Sequence, residues 1–149
     1  MLRPYVCVAC EKVILTGDGL ASLIGLFSKI TIIVPGGTEI PKNAVAPKEW
    51  AVFSAWDTDP GDGLKEYTFC MQMLYPDQSQ FGEVVKNKMK IELNKRSQVN
   101  MQIIGFPIGQ VGQYTVRTWI EENQQRVFGP IEFKIELEMT KQEQPQKAT

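Results

Sequence analysis

Apolar and polar residues alternate along much of the chain. In residues 131–138 every odd position is apolar and every even position is charged, and in residues 67–75 every odd position is aromatic or Met. Successive side chains of a strand point to opposite faces, so these patterns predict strands with one buried and one solvated face. Shorter runs of the same kind occur at 88–93, 98–103 and 114–120.

Turn-forming residues separate the alternating runs. Gly, Pro, Asn and Asp gather at 17–19, 59–63 and 107–112, where a chain can reverse direction. About eight strands with short connections leave no clear room for crossover helices. The sequence therefore predicts an all-β fold, an antiparallel β-sandwich of about eight strands.

Residues 20–27 fit two kinds of secondary structure. Their apolar spacing matches an amphipathic helix as well as a strand. A strand is favoured, because Gly25 weakens a helix and a β-branched run follows at 30–34. We expect one domain over residues 1–139 and a flexible polar tail over 140–149, which is rich in Gln and Lys. Trp50 and Trp56 share a strand face and are predicted core residues.

Charge and length narrow the range of partners. The 149 residues carry a net charge of −1, so no overall field attracts the protein to nucleic acid or to an anionic membrane. No apolar run approaches the roughly 20 residues that span a bilayer, and no signal peptide is recognisable. Three cysteines without a secretion signal indicate reduced thiols, and we expect a cytoplasmic protein.

The residue types that support common enzyme mechanisms are scarce. Histidine is absent, which removes the commonest general base and metal ligand. Cys7 and Cys10 form a C-x-x-C pattern, but positions three apart on a strand face opposite ways, which favours buried structural thiols over a metal or redox pair. We therefore predict no enzyme and no cofactor, and a binding or assembly module for a protein partner or for copies of itself.

Trp119 is the first candidate for an interface. If Tyr114 and its alternate neighbours face the core, Trp119 lies on the outer face between Arg117 and Glu121. An exposed Trp beside Arg is typical of an interaction hot spot. Two alternatives remain: Trp119 packs under the long connection 35–47, or the other strand face is the buried one.

Two clusters of charge are further candidates. Asp57, Asp59 and Asp62 lie on one loop, and carboxylate oxygens are the ligands that calcium prefers. The alternative function is therefore a β-sandwich that binds calcium or a small ligand at the Asp57–Gly63 loop, and a weaker third hypothesis is a hydrolase that acts through these residues and a metal. A solvated turn is favoured over a binding site. The stripe of Lys86, Lys88 and Lys90 lies on one strand face. It suits a phosphate backbone, but protection of an exposed sheet edge is favoured.

Short patterns spread over residues 5 to 137 occur together in this chain. They are Ala9-Cys10-Glu11-Lys12-Val13, Asp18-Gly19, Ser22-Leu23-Ile24-Gly25-Leu26-Phe27, Tyr75-Pro76-Asp77, Phe106-Pro107, Gly112-Gln113-Tyr114 and Gly129-Pro130-Ile131. Together they resemble a family of short bacterial β-sandwich proteins of unknown function. The resemblance implies a β-sandwich in a bacterial cytoplasm, and it implies no reaction and no catalytic residues.

Overall fold

A computed structural model of the chain describes residues 2–17, 20–57, 65–91 and 96–142. Within these residues the structure has nine strands and no helix. The strands are β1 (Arg3–Leu15), β2 (Ala21–Leu26), β3 (Lys29–Pro35), β4 (Val45–Asp57), β5 (Lys65–Leu74), β6 (Gln80–Ile91), β7 (Ser97–Pro107), β8 (Gly112–Glu122) and β9 (Gln125–Gln142). The predicted all-β class is confirmed, with one strand more than the eight expected.

The strands form two sheets that pack against each other. The four-stranded sheet has the order β2-β1-β4-β7, and the five-stranded sheet has the order β3-β9-β8-β5-β6. Among the described pairs, β3 and β9 are parallel and the others are antiparallel. The prediction of a wholly antiparallel fold is therefore wrong at β3, because the chain crosses between the sheets at residues 27–28 and continues beside β9.

Aromatic and aliphatic side chains from both sheets fill the space between them. Trp50 and Trp56 are buried there, as predicted. The ring of Trp50 lies 5.9 Å from that of Phe27 and 5.7 Å from that of Phe106, and its indole N–H donates to the carbonyl of Gly105 at 3.0 Å. Edge-to-face packing and a satisfied indole donor make a bulky aromatic favourable in a core.

Residues 20–27 contain a strand and not a helix, so the favoured alternative is confirmed. β2 pairs with β1 in a hairpin, with Leu23 opposite Val13. Gly25 interrupts it with φ +70°, and a Cβ at Gly25 would lie 2.9 Å from Cγ of Glu11. A residue with a side chain would be strained at this position, which explains a glycine inside an edge strand.

β9 extends beyond the predicted end of the domain. Thr140 lies opposite Ile33 and Gln142 opposite Pro35, and the N–H of Gly36 donates to the carbonyl of Gln142 at 2.9 Å. Backbone pairing with a parallel neighbour holds this polar segment, and composition alone does not reveal it. Residues 140–142 thus belong to the sheet, and the rest of the predicted tail lies outside the described residues.

Candidate functional site

Trp119 faces outward from the five-stranded sheet but is covered. Tyr114, Val116 and Ile120 are buried between the sheets, as the prediction assumed, and alternation places Trp119 on the opposite face. Its exposed fraction is nevertheless only 8%. The guanidinium of Arg126 lies 5.2 Å from the centre of its ring, a cation–π arrangement. The expectation of an exposed tryptophan is therefore wrong.

An irregularity in β9 explains how Trp119 becomes covered. Thr118 pairs with Ile131 and Ile120 with Phe128, so two residues of β9 lie opposite Trp119 alone, one more than in regular pairing. One of them, Gly129, has φ +96°, and a Cβ there would lie 3.1 Å from the carbonyl oxygen of Thr118. Such a bulge bends and twists the strand. The sequence analysis did not predict this bulge, although the Gly-Pro pair at 129–130 is a feature from which it could have been inferred.

The carboxylate of Glu121 is bound to neighbours on the same face, among them Cys70 and Lys86. The Cys70 thiol donates to Oε2 of Glu121 at 3.1 Å, and Nζ of Lys86 lies 3.2 and 3.3 Å from the two carboxylate oxygens. The bonds from Cys70 and Lys86 lower the pKa of the carboxyl group. Burial and the carboxylate together raise the pKa of the Cys70 thiol to about 12. Cys70 is therefore a protonated, weakly nucleophilic thiol at neutral pH.

Arg117 is also paired within the sheet. Its Nε donates to Oε1 of Glu132 at 2.8 Å. The structure thus brings Arg117, Trp119 and Glu121 together on one face of β8, as predicted, but each has a partner in its own chain. Charge and hydrogen-bonding capacity are largely satisfied on this face.

The lysine stripe lies on an edge strand. β6 is the outermost strand of the five-stranded sheet. Lys86 pairs with Glu121, and Nζ of Lys88 lies 3.4 Å from Oε1 of Glu66; Lys90 belongs to β6, but its side chain is outside the described part. This position is the one required by the interpretation that the lysines protect an exposed sheet edge from pairing with other chains. The two described lysines face carboxylates, which weakens the case for a phosphate site.

The acidic loop is described only at its beginning. Asp57 ends β4, and its carboxylate accepts from Nε of Arg96 at 2.8 Å and from the adjacent guanidinium nitrogen at 3.5 Å. Arg96 also lies 3.6 Å from the ring centre of Tyr5. Asp59 and Asp62 lie outside the described residues. Over the described ranges, no three Cys, Asp or Glu side chains are grouped to hold a metal ion.

The first two cysteines face opposite sides of β1, as predicted. Cys7 packs against the core between the sheets, whereas Cys10 belongs to a second buried cluster. Both are free thiols, as is Cys70. Burial is the main cause that raises the pKa of Cys7 and of Cys10. The C-x-x-C pattern therefore does not bring two sulfur atoms together.

The second cluster lies on the outer face of the four-stranded sheet. We call it the outer cluster: Cys10, Ala51, Phe53 and Ala55. Its members on β4 alternate with the inward residues Trp50, Val52 and Trp56, so β4 is buried on both faces. Partly buried apolar side chains cover it, namely Val6, Val13, Ala21 and Leu23. Sequence reasoning missed this cluster because alternation is hidden where both faces are apolar.

Exposed apolar residues continue from the outer cluster along the β1–β2 hairpin. Alternation and pairing place three of them on the same face as Cys10, and we call these the hairpin patch: Ile14, Ile24 and Leu26. β2 is an edge strand, and its sequence contains no charged residue and no proline. The edge strand β3, in contrast, contains Lys29 and Pro35, and β6 contains the lysine stripe. β7 is also uncharged, but it lies beside β6.

Comparison of the chain with protein-family models and with curated proteins gives no match. The bacterial family suggested by the short patterns therefore stays a prediction. No helix long and apolar enough to cross a membrane occurs in the described residues.

Proposed function

We propose that the chain is a non-catalytic β-sandwich module for binding or assembly in a bacterial cytoplasm, without a cofactor. It presents the β2 edge and the hairpin patch to a protein partner or to a second copy of itself. The observation that carries the proposal is that Ile24 and Leu26 are exposed on an edge strand without charge or proline, beside the exposed Ile14 of the neighbouring strand. This surface replaces the one predicted around Trp119.

The physical support lies in what an edge strand offers. The outer side of β2 carries backbone N–H and C=O groups that pair readily with another strand. Most edges are protected by lysine, proline or a bulge, and β6 carries three lysines. Gly25 bends β2, but the apolar side chains of Ile24 and Leu26 remain exposed on either side of it. Burial of such side chains favours association by about 25 cal/mol per Å² of apolar surface.

A charge placed on β2 tests the proposal. Ile24→Lys introduces a solvated cation at the edge and should abolish self-association in sedimentation velocity, or retention of a partner in a tagged pull-down. Val127→Lys is the matched control, because Val127 is 49% exposed and Ile24 is 47% exposed. The control should leave association unchanged.

Two results would contradict the proposal. One is a protein that stays monomeric at every concentration and retains no partner. The other is equal loss of association in the Ile24→Lys and Val127→Lys proteins, which would indicate a general effect of added charge. Thermal unfolding of both variants verifies that each is folded when association is measured.

A further inference from the structure

A cavity opens between the edges of the two sheets, away from the β2 edge. It has a volume of about 320 Å³ and lies between β6 and β7. We call it the β6–β7 slot. Its floor is formed by buried side chains that also belong to the main core, namely Trp50, Met71, Met73 and Met101. The slot is thus an apolar opening that reaches the interior.

The irregular course of β6 contributes to the slot. Met71 pairs with Val85 and Met73 with Phe81, so β6 has two more residues than β5 between these pairs. Gly82, within this bulge, has φ +68°. Bulges redirect an edge strand and often occur beside binding sites. Phe81, Gly82 and Val85 all line the slot.

The side chains of the slot select for an apolar ligand. Three methionines on the floor are flexible and polarizable, which lets the surface adapt to a ligand's shape. Among the described residues that line the slot, Glu83 is the one with a charge, and it is exposed at the rim. A ligand with a carboxylate or phosphate would meet a like charge at this rim. A ligand without negative charge would not.

The volume limits the size of the ligand. Ligand pockets usually measure about 300–1,000 Å³. An apolar cavity of about 150 Å³ binds benzene, so a slot about twice as large suits on the order of a dozen non-hydrogen atoms. We propose that the β6–β7 slot binds an uncharged hydrophobic molecule of this size, such as a medium-length aliphatic alcohol or a small fused aromatic.

The neutral two-ring dye 1-naphthylamine is of this size and provides a direct test, because its fluorescence responds to transfer into apolar surroundings. We expect saturable binding of one dye per chain to the wild-type protein. Val85→Trp places a bulky ring at the mouth and should weaken binding at least tenfold. Val127→Trp is the matched control, since Val85 and Val127 are 50% and 49% exposed and Val127 does not line the slot.

A second variant guards against misfolding. Ile104 lines the slot and is highly exposed, so Ile104→Trp should block the mouth without a change in thermal stability. Absence of saturable dye binding to the wild type would overturn the proposal. Equal dye affinity in Val85→Trp, Ile104→Trp and Val127→Trp would overturn it as well, because the dye would then bind elsewhere.

Displacement of the dye tests the charge preference. Decanol should displace it at a concentration several-fold lower than decanoate, because the decanoate carboxylate approaches Glu83. Glu83→Gln should bring the two competitors closer together. Stronger displacement by decanoate than by decanol would overturn the assignment to uncharged ligands.

Discussion

An aromatic side chain faces outward from each sheet, and the two are covered in different ways. Trp119 lies under Arg126 on the five-stranded sheet, beside a carboxylate that binds Cys70 and Lys86. Phe53 lies on the four-stranded sheet among small and apolar neighbours of the outer cluster. The first face is thus closed by charged side chains of the same sheet. The second merges with exposed apolar residues at the β2 edge.

The difference shows that a buried aromatic ring on an outer face does not by itself mark a surface that is available to a partner. A long arginine side chain covers an aromatic ring and keeps its own charge in water, so a face of this kind needs no partner. A cluster covered by valine, alanine and leucine keeps an apolar boundary at its rim. Further burial of that boundary is favourable, which is why we place the interaction surface on the four-stranded sheet.

Replacement of each of the two aromatic residues by Ala should have the largest effect on stability. It also tests whether the two outer faces differ in their role in association. Trp119→Ala and Phe53→Ala each remove a buried ring, and we expect each to lower the free energy of unfolding by about 3 kcal/mol. Urea unfolding followed by circular dichroism measures both. Trp119→Ala should leave association unchanged, because Arg126 and not a partner covers the ring.

Phe53→Leu is the milder control, because it retains an apolar side chain at this position. It should lower the free energy of unfolding by about 1 kcal/mol. Loss of association in a folded Trp119→Ala protein would move the interface back to the five-stranded sheet. In that case the original sequence-based hypothesis about Trp119 would be supported.

The next effect concerns the thiols on the two outer faces. The carboxylate of Glu121 helps to hold the pKa of Cys70 at about 12. Glu121→Gln removes this charge, so the thiol pKa should fall and alkylation by iodoacetamide should become faster, by about threefold for each unit of pKa, because the gain in thiolate fraction is partly offset by the lower nucleophilicity of a less basic thiolate. Mass spectrometry of the Cys70 peptide measures the rate.

Two further thiol measurements sharpen this test. Lys86 lowers the pKa of Cys70, so Lys86→Met should slow the alkylation of Cys70. Cys10, on the other sheet, should react at the same rate in all three proteins. An unchanged rate at Cys70 in Glu121→Gln would mean that burial alone controls the thiol.

Much of the fold was predictable from alternation, whereas the surfaces were not. The pattern at residues 131–138 predicted a strand that the structure contains within β9. The cover over Trp119 depends on a bulge and on Arg126 from the next strand, and both are properties of pairing. The outer cluster on β4 was hidden in the same way, since residues buried on both faces show no alternation.

The smallest expected effect comes from the ion pair that Glu132 forms with Arg117, a residue that the sequence analysis placed in the candidate interface. The two side chains are partly exposed, at 34% and 39%. A surface pair of this kind contributes about 0.5 kcal/mol, and salt screens it. Arg117→Ala should therefore lower stability by about that amount, and a double-mutant cycle with Glu132→Ala should give a coupling of the same size that decreases in high salt.

Association of the Arg117→Ala protein should be unaffected in sedimentation velocity. Loss of association in Arg117→Ala, together with normal association in Ile24→Lys, would exchange the roles of the two faces.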